Sequence, residues 1–171
     1  GIFAIVYGGG NGLNVIDTIS ITSAGDASDF GDLSVGSRAG LGSVSSNTRG
    51  VFAGGEVSNS ASNHIDYVTI SSAGNASDFG DLAESARFFS GAGSQTRGIF
   101  GMANTSFDYI TIANTGNSTD FGDANFNQLN NGSASSSTRS VHMGGTGPVN
   151  SIDYLTIAST GNAADFGDIT S

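Results

Sequence analysis

The sequence predicts an all-β protein made of four repeats of about 45 residues each. Three observations predict it. An acidic heptapeptide recurs four times, as DASDFGD at 26–32, NASDFGD at 75–81, NSTDFGD at 117–123 and NAADFGD at 162–168. Apolar residues within each repeat alternate with period two, and no window carries an apolar stripe at helical spacing. Repeats of this length form a propeller, a solenoid or an array, because one unit alone cannot bury its apolar face.

The phenylalanines of the heptapeptide, Phe30, Phe79, Phe121 and Phe166, are separated by 49, 42 and 45 residues. A second marker keeps the same separations: Ile16-Asp17-Thr18, Ile65-Asp66-Tyr67, Phe107-Asp108-Tyr109 and Ile152-Asp153-Tyr154. Length changes therefore lie outside the stretch joining the two markers. A third marker precedes each pair, as IVYGGG at 5–10, RGVFAGG at 49–55, RGIFGM at 97–102 and RSVHMGG at 139–145. The units run approximately 1–37, 38–86, 87–128 and 129–171, as a single repeat domain or a fragment of a longer array.

Unit two shows the elements in order. A strand is expected near 40–45, a second in RGVFAGG, a third in HIDYVTIS at 64–71 and a short fourth around DFGDLA at 78–83. The pieces TSAGDAS at 22–28 and SSAGNAS at 71–77 read as turns. Glycine there takes positive φ, and Asp or Asn bonds its own backbone. The chain opens in the second strand of its first unit, which leaves three copies of the first strand against four of the others. The missing strand is expected from outside this segment or from another subunit.

Five arginines, no lysine and fifteen acids give a formal charge of −10, which disfavours nucleic acid and anionic membrane as partners. No apolar run is long enough to cross a bilayer. The chain has no cysteine, so disulfide and thiol redox chemistry are excluded. Eight aspartates are the pairs inside DFGD, and four more belong to the second marker. Twelve of fifteen acids thus follow the repeat, which makes structural work their leading explanation.

Within DFGD the pairs are Asp29 and Asp32, Asp78 and Asp81, Asp120 and Asp123, and Asp165 and Asp168. The first Asp is expected to cap a turn, Phe to enter the core, Gly to permit a tight bend, and the last Asp to accept hydrogen bonds. Ca²⁺ is the one cation such a turn would recruit, although no glutamate follows at EF-hand spacing. No cofactor is expected otherwise. Arg49, Arg97 and Arg139 stand just before the glycine-ended strand, and Arg–Asp bridges between repeats are the natural expectation.

Neither histidine, His64 or His142, recurs with a partner, so no Ser-His-Asp order is supported. Glu56 and Glu84 fall in variable connections and read as solvated surface. The glycine pairs lack a following helix and a phosphate-binding lysine, and read instead as close strand approach. Asn75, Asn104, Asn117 and Asn131 each begin an N-x-S/T sequon, which makes them candidate glycosylation sites.

The order of these strands resembles the Kelch repeat. RGVFAGG at 49–55 is similar to the Kelch diglycine strand and IDYVTI at 65–70 to the strand after it, with Phe30, Phe79, Phe121 and Phe166 where Kelch has Trp. The motif string also resembles Kelch-like arrays of virion and tail-fibre proteins from marine and cyanobacterial phages. The resemblance implies four-stranded blades in a β-propeller. An open β-repeat stack or filament is the alternative.

The expected function is non-enzymatic: a structural or adhesive module of a phage-fibre-like appendage, extracellular or on a virion surface, touching a host-surface glycan. Tyr67, Tyr109 and Tyr154 would supply flat surfaces for that contact. Self-association, or packing against neighbouring repeats of a longer chain, is the expected protein contact. The alternatives are a filament-forming structural protein and, behind it, a propeller enzyme acting on carbohydrate.

Overall fold

A computed structural model describes residues 1–4, 14–146 and 150–170. The IVYGGG marker at 5–10 lies outside them. The chain forms four antiparallel sheets in succession. The first holds β1 (Ile2–Ala4), β2 (Val15–Thr18) and β3 (Ser28–Asp32), in that spatial order. The second holds β4 (Gly42–Ser45), β5 (Arg49–Ala53), β6 (Glu56–Val57), β7 (Ser60–Thr69) and β8 (Ser77–Ala86), with β6 and β8 both paired to β7. The third is β9 (Gly91–Gly93), β10 (Arg97–Gly101), β11 (Ser106–Thr111) and β12 (Thr119–Asp123). The fourth is β13 (Gly132–Ser135), β14 (Arg139–Met143), β15 (Ser151–Thr156) and β16 (Ala164–Asp168).

The four strands expected of unit two are β4, β5, β7 and β8, and among the described residues the first sheet shows no counterpart of β4. Branched and aromatic residues at alternate positions give β5 and β7 their pairing, with Val51 opposite Tyr67 and Ala53 opposite Ile65. At the end of β5, Gly54 takes φ +60, and a Cβ there would stand 2.6 Å from the Ala86 carbonyl oxygen. The diglycine is therefore a close approach between the ends of β5 and β8. Among the described residues only unit two carries the short β6 arm, turned back onto β7 through Ser58 and Asn59 at φ 48 and 65, the two-residue hairpin geometry.

The core lies between sheets rather than inside them. Ile16, Phe30 and Leu33 of unit one pack with Phe52 and Val68 of unit two. Val51, Ile65 and Phe79 pack with Phe100, Ile110 and Ile112 of unit three. Ile99, Phe107 and Phe121 pack with Leu155 and Ile157 of unit four. At about 1.5–3 kcal/mol for each large apolar side chain buried, most of the hydrophobic stabilisation belongs to pairs of units. A single unit keeps little of it.

The closed Kelch-like β-propeller is corrected by this topology. Each sheet is open and uncurled, and none closes on itself or completes a ring. Among the described residues no hydrogen bond joins the first sheet to the fourth. Closure is what would remove strand edges, and it is missing. The chain is an open succession of sheets. No helix of the described residues is long and apolar enough to cross a membrane.

Candidate functional site

The joints between successive units are the most regular chemistry in the molecule. In every unit the pairing of the third and fourth strands slips by one residue at the heptapeptide: Ile16 faces Gly31 while Asp17 faces Asp29. The same slip occurs in units two, three and four. The phenylalanine is thus the extra residue of a β-bulge, released from the ladder. In the first three units its ring enters the core and its carbonyl turns toward the next unit. There the Gly-Asn turn docks, with Gly74 N–H donating to the Phe30 carbonyl at 2.7 Å, Gly116 to Phe79 at 2.6 Å and Gly161 to Phe121 at 2.7 Å.

Two further bonds repeat at each joint. Ala76, Ser118 and Ala163 N–H groups donate to the carbonyls of Asp32, Asp81 and Asp123 at 2.7, 2.8 and 2.7 Å. The N–H groups of those same aspartates donate back to the Oδ1 atoms of Asn75, Asn117 and Asn162 at 3.1, 3.0 and 3.0 Å. Glycine is required in the motif on two counts. Gly31, Gly80 and Gly122 sit at φ +149, +144 and +143, and a Cβ on any of them would come within 2.5 Å of the docked turn's backbone. Asp78 and Asp165 carry the local role of the first Asp, accepting from Gly80 and Gly167 N–H at 3.1 Å.

The aspartate of the second marker reaches back across the same joint. Asp66, Asp108 and Asp153 are buried, and each binds the residue two positions after the previous unit's DFGD. Asp108 accepts from Ala83 N–H at 2.9 Å and Asp153 from Asn125 N–H at 2.7 Å. Asp66 accepts from the Ser34 hydroxyl and pairs with Arg38, which is also fully buried and donates to the Gly54 carbonyl at 3.1 Å. Burial pulls the Arg38 guanidinium below its ordinary range, and the Asp66 carboxylate beside it works the other way.

The arginines lock the joint in the opposite direction. Arg49 donates to the Ile112 carbonyl at 2.9 Å and Arg97 to the Ile157 carbonyl at 2.8 Å, each in the following unit. The acceptor is a backbone oxygen, not the carboxylate that spacing suggests. Each guanidinium carbon lies over the ring of a tyrosine of its own unit, Arg49 over Tyr67 at 4.4 Å, Arg97 over Tyr109 at 4.4 Å and Arg139 over Tyr154 at 4.3 Å from the centroid. Phe79, Phe121 and Phe166 then meet those tyrosines edge-on at 5.9, 5.7 and 6.0 Å. The tyrosines are half-buried members of these clusters.

The sequon asparagines are distributed between turns and connections. Asn75 and Asn117 sit exposed in the docked turns, with Oδ1 engaged as described. Asn104 is half-buried, accepting from Ser106 N–H at 2.7 Å, and Asn131 accepts from the Ser90 hydroxyl at 2.8 Å.

One cluster has no signal in the sequence. The His64 Nε2 lies 3.0 Å from the Ser34 hydroxyl and 3.2 Å from Asp66 Oδ1. A relay needs serine and carboxylate on opposite nitrogens of the ring. Here both crowd one nitrogen, and the Ser34 hydroxyl already donates to Asp66. The other histidine, His142, is buried against Phe107 at 4.6 Å between centroids, and burial lowers its pKa to about 4. Its Nε2 has no hydrogen-bond partner among the described residues. A groove of about 440 Å³ runs along β4, β9 and β13 and is lined mainly by serine and glycine. Among the described residues no group of three His, Asp or Glu side chains is placed to hold a metal ion.

No family model matches the chain, and no curated protein does. Kelch membership and the phage virion or tail-fibre assignment are therefore corrected together with the propeller: open sheets replace the blades, and no match carries the name. Glycan adhesion falls with them. One face of each of Tyr67, Tyr109 and Tyr154 is covered by Arg49, Arg97 and Arg139 in turn.

Proposed function

We propose that this chain is a structural repeat module that builds a filament or stack, and that it works without catalysis. The observation that carries the proposal is the joint itself. Three hydrogen bonds between DFGD and a Gly-Asn turn recur with nearly the same lengths at three successive junctions. Repeat proteins with such nearest-neighbour interfaces extend by adding equivalent contacts. Open sheets joined this way favour lengthwise assembly over a closed ligand-binding body.

Negative-stain electron microscopy across a concentration series tests the proposal. Fibres or stacks with an axial repeat of one or a few units are the expected result. Isolated particles of single-chain size at every concentration would overturn it.

A further inference from the structure

The contacts between heptapeptide and turn are complete at the three joints inside the chain, while the two outermost units each present one unmatched half of the same joint. On unit four, Phe166 is 53% exposed, although its equivalents Phe30, Phe79 and Phe121 are at most 6% exposed. Gly167 keeps the motif's positive φ of +135, yet nothing lies within 4 Å of the place a Cβ would occupy. Arg139 lies over Tyr154 but has no carbonyl acceptor among the described residues. On unit one, Ile21 is 80% exposed, against 37%, 1% and 2% for its equivalents Ile70, Ile112 and Ile157, and of these three only Ile70 receives no arginine among the described residues. The Gly25-Asp26 turn is likewise exposed.

We infer that these two faces bind each other between copies, with the first unit of one chain docking on the fourth unit of the next. This specifies the contact behind the filament reading and rests on it. By register with the internal joints, Gly25 N–H donates to the Phe166 carbonyl and Ala27 N–H to the Asp168 carbonyl. Asp168 N–H donates to the Asp26 carboxylate, and Arg139 reaches the Ile21 carbonyl. The occupant is a second copy because its exposed half repeats the glycine turn that fills this place three times within the chain. One position differs: Asp26 stands where the internal turns carry Asn75, Asn117 and Asn162. The acceptor oxygen is kept, and a negative charge is added between chains that each carry −10. The two faces are different surfaces, so the contact is head-to-tail and propagates without closing.

The test begins with sedimentation of the wild-type chain over a concentration range. Ile21→Glu should weaken association at least tenfold with its melting temperature unchanged, since that side chain is already exposed in the single chain. Asp26→Asn should strengthen it about two- to fivefold, the effect of one surface charge pair. The chain lacks cysteine, so Asp26→Cys and Asp168→Cys chains are then mixed and oxidised. A mixed disulfide well above either homodimer is expected. A chain carrying both Asp32→Cys and Asn75→Cys reports whether the internal joint closes in the same way. Association that survives Ile21→Glu, with no mixed disulfide, would overturn this docking and leave the filament reading standing. A single monomeric species at all concentrations would overturn both.

Discussion

Replacing Gly80 by alanine should cost far more than replacing Gly167, although both occupy the same place in the same motif. Each has a left-handed φ, +144 and +135, so each substitution carries similar backbone strain of about 1–3 kcal/mol. Their own N–H groups bond the preceding aspartate equally, at 3.1 Å in both. The surroundings differ. A Cβ on Gly80 falls 2.5 Å from the Gly116 carbonyl oxygen and 2.9 Å from Asn117 N, where real contacts do not come under 3.0 Å. The turn must retreat by at least 0.5 Å, and by 0.9 Å to reach ordinary contact at 3.4 Å. That retreat strains or breaks three hydrogen bonds, Gly116 to Phe79, Ser118 to Asp81 and Asp81 to Asn117. At about 0.5–1.5 kcal/mol each, Gly80→Ala loses about 1.5–4.5 kcal/mol beyond the shared strain. Urea unfolding of both variants, at a concentration where the protein is monomeric, measures the difference. Equal losses would refute the claim that the motif's glycine serves the joint.

Asp66→Asn leaves Arg38 buried without its counter-charge and should destabilise by about 3–5 kcal/mol in urea unfolding. Arg97→Lys gives up the guanidinium's contact with the Tyr109 ring and the directed bond to Ile157, and should cost about 1–2 kcal/mol. Arg139→Lys has only the ring contact to lose, and its melting temperature should fall less. His142 is held neutral by burial, with a folded pKa near 4 against about 6.5 when unfolded. As pH drops from 6.5 toward 4 the unfolded chain takes up the proton first, so stability falls across that window, by up to about 3 kcal/mol. His142→Phe, the residue type found at Phe52 and Phe100, should flatten that slope in pH-dependent melts.

The strands were legible because their signals are local. Alternation at Ile65, Tyr67 and Thr69 and the glycines at 54–55 mark β7 and the end of β5 without reference to anything distant. Closure of a ring is not local. It depends on whether the first and last sheets meet, which neither strand count nor strand order inside a unit records. The propeller expectation failed at that step. The joint was half legible: four copies of DFGD announced a structural role, but the glycine's second duty appears only when the next turn is in place. The acceptors of Arg49 and Arg97 are backbone carbonyls, which every residue carries and no spacing can single out. Arg38 finds Asp66 from a connection of variable length, so no periodicity points to it. Phe166 shares its motif with three buried phenylalanines and is exposed, because burial here is set by the neighbour and not by the residue.

Most of each joint is main chain against main chain, with one asparagine amide as the only recurring side-chain acceptor in the docked turn. A unit spliced between any two others would meet a familiar surface on both sides. Duplication or loss of whole units within the gene therefore leaves every remaining junction intact, and length becomes a property that recombination can change in steps of about 45 residues. The Ser34 hydroxyl is the exception: it ties unit one to unit two through the buried Asp66, where Asp108 and Asp153 take a backbone N–H of the preceding unit, and it gives that pair of units a fixed order.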